Sequence, residues 1–144
     1  MGKIYKYANI YDKDATSDNY KDHLIRHVNS KGVLENYTLD ELKTFKTKNG
    51  KHIPTLEKLL KLVETSDLKV LNLELKNSII PYEGLEVKVL TMIYEHNLQD
   101  KVIISSFNHM SLVKIRELDS TIVLGALTDS TLANVPKYLK DISV

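Results

Sequence analysis

The chain predicts an α/β fold in which parallel strands are covered by helices. Three observations predict it. Strand-like and helix-like patterns alternate along residues 38–144, which implies right-handed crossovers between parallel strands. Two of the strand segments, around Val102-Ile103-Ile104 and Ile122-Val123-Leu124, are short, continuous apolar runs, as strands buried on both faces require. A third, Lys69 to Lys76, alternates: Leu71, Leu73 and Leu75 fall on one face, and Asn72, Glu74 and Lys76 on the other.

The elements follow in order. Residues 1–37 are rich in Tyr, Asp, Asn and Lys, with Tyr5, Tyr7, Tyr11 and Tyr20 among them. They form a loosely specified N-terminal segment with one expected strand, Lys3 to Tyr7. The ordered domain is expected over 38–144. Thr38 and Glu41 fit a capping box, so a short helix should run to about Phe45. Asn49-Gly50 marks a turn. Thr55 can cap a helix to about Glu64, with Leu56, Leu59, Leu60 and Val63 on one stripe. Pro81 and Gly84 precede a helix to about His96, its stripe being Leu85, Val89, Met92, Ile93 and His96. The run from Lys101 to Ser105 is the second strand, and Asn108 caps a helix to about Leu118. Thr121 to Leu127 is the third. Ser130 opens a last helical stretch that Pro136 should interrupt or restart.

Composition narrows the function. The 144 residues carry 20 Lys and Arg against 19 Asp and Glu, a net charge of +1, which argues against a bulk electrostatic grip on nucleic acid or an anionic membrane. There is no cysteine, which excludes disulfides, thiolate metal sites and Cys nucleophiles. The apolar runs are too short to span a bilayer. Met1 to Lys6 lacks the apolar stretch of a signal peptide, and Lys6 stands where a myristoylation signal has Ser or Thr. A cytoplasmic location is the expectation.

The polar face of the Glu74 strand has two readings. An edge strand with one solvated face alternates in this way. So does a strand whose second face looks onto a ligand. Glu74 and Lys76, two residues apart on one face, would then set a carboxylate beside an ammonium, a pairing suited to a divalent metal and a phosphate oxygen. Other constellations are weaker. His23 and His27 have helical spacing but no third ligand in view. His96 reads as a packed or helix-end residue, and His109, just after a cap, as an exposed one. Ser105-Ser106 has no evident His and Asp partners.

The segments Ile53-Pro54-Thr55-Leu56-Glu57, Leu71-Asn72-Leu73-Glu74-Leu75-Lys76 and Val102-Ile103-Ile104-Ser105-Ser106-Phe107-Asn108, at these separations, resemble the central part of the glycerophosphodiester phosphodiesterase family. Tyr37 to Leu42 and the Ser30-Lys31-Gly32 turn fit the segments before it. The resemblance covers residues 29–127. It implies a TIM (β/α) barrel, here a partial one of about four parallel strands against the roughly 250 residues of a full barrel. It implies hydrolysis of glycerophosphodiesters to an alcohol and glycerol 3-phosphate in lipid metabolism, with a bound divalent cation, Mg or Ca. Residue by residue, it makes Glu74 a metal ligand, Lys76 a contact to the substrate phosphate, and Phe107 part of the pocket lining.

The departures bear on activity. The family carries H-R-G on its first strand, E-x-D on its second and H-D soon after, the two His serving as acid and base. This sequence has no H-R-G, and none of His23, His27, His52, His96 and His109 precedes Asp. Glu117-Leu118-Asp119 comes too late to be the E-x-D. The expectation is a shortened family member that is inactive alone and holds a cation weakly or not at all. An open piece of barrel exposes strand edges, so a homodimer, or wrapping by residues 1–37, is expected. The alternatives are a non-catalytic self-associating or phosphate-ligand-binding module on the same scaffold, and an enzyme completed in trans by another chain.

Overall fold

The computed structural model describes residues 36–144 apart from 48 and 80. The expected strand Lys3 to Tyr7, the His23/His27 pair and the Ser30-Lys31-Gly32 turn lie outside the described residues. The described part divides into two compact units, meeting at 59/60.

In the first unit, α1 (Leu39–Thr44) begins with the expected capping box: Thr38 Oγ1 accepts from the Glu41 amide at 3.3 Å, and the Glu41 carboxylate accepts from the Thr38 amide at 2.7 Å. These bonds hold the Glu41 carboxyl below its ordinary pKa. Gly50, at φ +78°, takes the left-handed turn that Asn-Gly favours. Lys46 and His52 form an antiparallel bridge across it.

Helix α2 (Leu56–Glu64) buries Leu60 and Val63 from the predicted stripe. The second unit then runs β1 (Leu71–Leu75), α3 (Leu85–Glu95), β2 (Val102–Ser106), α4 (His109–Leu118), β3 (Val123–Ala126) and α5 (Val135–Asp141). The described sheet has three strands, all parallel, in the order β1-β2-β3. About four were expected; the further strand expected at Lys3 to Tyr7 lies outside the described residues.

Register sorts the side chains by face. Leu71 pairs with Val102, Leu73 with Ile104 and Leu75 with Ser106. These residues look toward the helices, where Leu71, Leu75, Val102 and Ile104 join Leu90, Ile93, Leu112 and Ile115 in the core. The opposite face carries Asn72, Glu74, Ile103, Ser105, Val123 and Gly125. One face is therefore a hydrophobic core and the other a mixed polar floor, as the alternation of β1 predicts.

Caps set the helix starts. Asn108 accepts from the Ser111 amide, and Asn134 from the Lys137 amide. The last helix begins at Val135, not Ser130, because Pro136 has no amide to donate and is accommodated only in the first turn. Gly84, at φ +74°, enters α3 through a left-handed conformation.

Candidate functional site

The two strand-borne charges come together. Lys76 Nζ lies 2.6 Å from Glu74 Oε1 at the C-terminal end of β1. The Glu74 side chain is 5% exposed and that of Lys76 61%. The carboxylate therefore lies in the floor with the ammonium over it, open to solvent. A plain solvated edge would expose both side chains, which the low exposure of Glu74 does not match.

The neighbouring strands complete the floor. Glu74 is level with Ser105, and Ser105 with Gly125. Ser105 is 3% exposed, and its hydroxyl has no hydrogen-bond partner. Phe107 is half-buried, one residue beyond the end of β2. The site thus draws Glu74 and Lys76 from one strand end and Phe107 from the next, the arrangement in which open α/β sheets and barrels gather their functional side chains.

Behind the floor lies a polar cluster that no local sequence pattern announces. Asn77 Nδ2 donates to Ser111 Oγ at 2.6 Å, and Ser111 Oγ donates to Glu86 Oε1 at 2.7 Å. Lys114 Nζ reaches Glu86 Oε2 at 3.0 Å. Ser106 Oγ donates to the Leu75 carbonyl at 2.8 Å and accepts from the Asn108 amide at 2.9 Å. Asn108 Nδ2 donates to the Asn77 carbonyl at 3.2 Å. Burial raises the Glu86 pKa, but the bonds from Ser111 and Lys114 outweigh it and hold the carboxyl below its ordinary value. Asn77, Glu86 and Ser111 are all buried. Ser106, half of the Ser105-Ser106 pair, is thus committed to the backbone and is no nucleophile.

Two histidine expectations meet the structure here. His109 is not an exposed residue after a cap: it is half-buried, with Nε2 donating to the Leu127 carbonyl at 2.7 Å and Nδ1 accepting from the Tyr138 hydroxyl at 2.5 Å. Its ring ties α4 to the exit of β3 and to α5, and the partner that draws it in lies far along the chain. His96 is the helix-end residue expected, capping α3 and donating from Nδ1 to Glu64 at 2.6 Å.

Among the described residues there is no group of three or more His, Cys, Asp or Glu side chains that could hold a metal ion. Glu74 is one carboxylate, already facing Lys76. It could supply one oxygen ligand to a divalent cation, whose other ligands would be water, substrate oxygens or further protein groups. Among the described residues no helix is long and apolar enough to cross a membrane.

Comparison with known proteins bears on the whole arrangement. The sequence profile of the Glycerophosphoryl diester phosphodiesterase family matches residues 16–141. The chain belongs to this family. A glycerophosphodiester phosphodiesterase of Bacillus altitudinis is 39% identical over 126 residues, covering 83% of this chain and 51% of that protein. One from Caldanaerobacter subterraneus subsp. tengcongensis is 37% identical over 109 residues, covering 71% of this chain and 44% of that one. The chain thus spans about half the length of the curated relatives it matches. In fold, it is similar to the crystal structure of a Galdieria sulphuraria protein described as a candidate glycerophosphodiester phosphodiesterase, with TM-score 0.65 and 24% identity over 74% of this chain and 44% of that one. The parallel sheet with covering helices is accordingly part of a TIM barrel.

Proposed function

We propose that this family segment carries the phosphate-binding wall of a glycerophosphodiester phosphodiesterase. Lys76 engages the phosphate of a glycerophosphodiester or of glycerol phosphate, Glu74 serves as one ligand of a divalent cation, and Phe107 lines the pocket. The observation that supports this most is the pairing of the buried Glu74 carboxylate with the half-exposed Lys76 ammonium at a strand end. An anion approaching Lys76 would meet a mobile, strongly hydrated point charge, which suits phosphate.

Hydrolysis needs more. General acid and base groups each contribute about 10²–10⁴-fold, and the 144 residues contain no H-R-G and no His followed by Asp. The chain by itself is therefore a binding wall without significant turnover. The test is release of glycerol 3-phosphate from glycerophosphocholine with Mg²⁺ or Ca²⁺ added. No release above background is expected. Metal-dependent release that Glu74→Ala abolishes would overturn the inactive reading.

A second reading is a non-catalytic phosphate-ligand-binding or self-associating module on the same scaffold. The open position of Lys76 favours its binding form. Isothermal titration with glycerol 3-phosphate should give saturable heat that Lys76→Ala removes, and sedimentation would show whether a homodimer forms.

A further inference from the structure

Lys76 and Phe107 stand on different strands, yet the residues on either side of each belong to one buried polar cluster. Lys76 lies between Leu75, whose carbonyl accepts from Ser106 Oγ at 2.8 Å, and Asn77. Phe107 lies between Ser106 and Asn108, and Asn108 bonds back to the Asn77 carbonyl at 3.2 Å. Because strand side chains alternate, the residues that face the helices hold the backs of the two strand ends whose fronts are Lys76 and Phe107. The cluster is anchored below: Asn77 donates to Ser111 on α4 at 2.6 Å, and Ser111 donates to Glu86 on α3 at 2.7 Å. A single buried residue, Asn77, thus touches both strand ends and reaches both helices that follow them.

We propose that Asn77, with Ser106, Ser111 and Glu86 behind it, is the positioning device that fixes the Lys76 and Phe107 segments against each other. Polar atoms this deeply buried are costly unless fully bonded, so the cluster tolerates one arrangement of the two strand ends. The core leucines and isoleucines beneath set no such directional limit. The consequence for ligand affinity rests on the phosphate reading of Lys76; the consequence for backbone order does not.

The experiment compares Asn77→Ala and Ser111→Ala with Ile115→Val. Ile115 is fully buried on the same helix as Ser111, so its truncation loosens packing while sparing every polar bond. Amide exchange followed by NMR well below the unfolding transition is the first readout. Exchange at residues 76–79 and 106–108 is expected to quicken about tenfold or more in both polar variants and to stay at the parent rate in Ile115→Val. Titration with glycerol 3-phosphate is the second, with affinity expected to fall about fivefold or more in Asn77→Ala and to hold in Ile115→Val. Parent-like exchange in Asn77→Ala, or equal quickening in Ile115→Val, overturns the proposal. If the parent protein binds no glycerol 3-phosphate but exchange changes as expected, the positioning role stands and the phosphate reading falls. If binding is lost in Lys76→Ala yet unchanged in Asn77→Ala with parent-like exchange, the phosphate reading stands and the positioning role falls.

Discussion

The two ends of the parallel sheet are closed by polar groups in opposite manners. At the C-terminal end, Asn77, Ser106, Ser111 and Glu86 are buried and bonded side chain to side chain across two strands and two helices. At the N-terminal end of β3, one carboxylate does the closing from the surface. Asp119 Oδ1 accepts from the Thr121 amide at 2.7 Å and the Ile122 amide at 3.1 Å, and Oδ2 accepts from the Tyr94 hydroxyl at 2.7 Å. The first end joins parts distant in the chain and is insulated from solvent. The second is mostly a local turn, and solvent can reach it. Buried closure gives positional precision, which a ligand site needs; exposed closure gives a stop signal for a helix and a start for a strand.

Substitutions probe that contrast. The largest loss is expected between the two ends, where Ile104→Ala empties a fully buried position of the central strand and should cost roughly 2–5 kcal/mol in denaturant unfolding. Next comes Glu86→Ala, which strands the Ser111 hydroxyl in the interior and should cost about 2–3 kcal/mol. If Glu86→Ala costs no more than a surface change, the insulated end is no more demanding than the exposed one. Asp119→Asn should be milder, about 1 kcal/mol at neutral pH, since exposed turn bonds are partly replaced by water.

The Asp119 variant also carries a pH signature. Burial raises this carboxyl's pKa, but the bonds from Tyr94, Thr121 and Ile122 outweigh it and bring it to about 2, against an ordinary 3.8. A lowered folded-state pKa means stabilisation that is whole above the unfolded value and fades as pH falls toward the folded one. The gap between parent and Asp119→Asn unfolding midpoints should therefore be constant near neutrality and narrow between about pH 4 and pH 2. A gap that stays flat to pH 2 would show that the charge plays no part. The smallest effect is expected for Ser105→Ala. Its hydroxyl has no partner, so removing it should leave stability unchanged or raise it slightly in the same unfolding assay.

The same contrast explains what could be read from the amino acids alone. Element order was legible because its signals are local: the Thr38/Glu41 box, the Asn108 cap, the leucine alternation of β1 and the apolar run of β2 each need only a few neighbours. Glu74, Lys76 and Phe107 were singled out by motif resemblance, on which their roles rest; the structure shows the first two in contact. The Asn77 cluster was not legible. Ser111 is 34 residues from Asn77, and Glu86 is 9 away on another element, so no window brings them together. His109 was misread for the same reason: its hydroxyl partner, Tyr138, lies 29 residues on. The late start of α5 was a matter of proline placement within a turn that the sequence flagged but did not locate.

Gly125 carries a last consequence. A methyl group there would meet Ser105 Cβ at 3.4 Å and Ile103 Cγ2 at 3.9 Å, ordinary touching distances, so alanine fits without displacing its neighbours. Across the row of paired residues, side-chain size falls from Glu74 through Ser105 to Gly125. Grading side chains at position 125 from alanine to leucine would therefore add bulk beside Ser105 stepwise, two strands away from the Glu74–Lys76 pair.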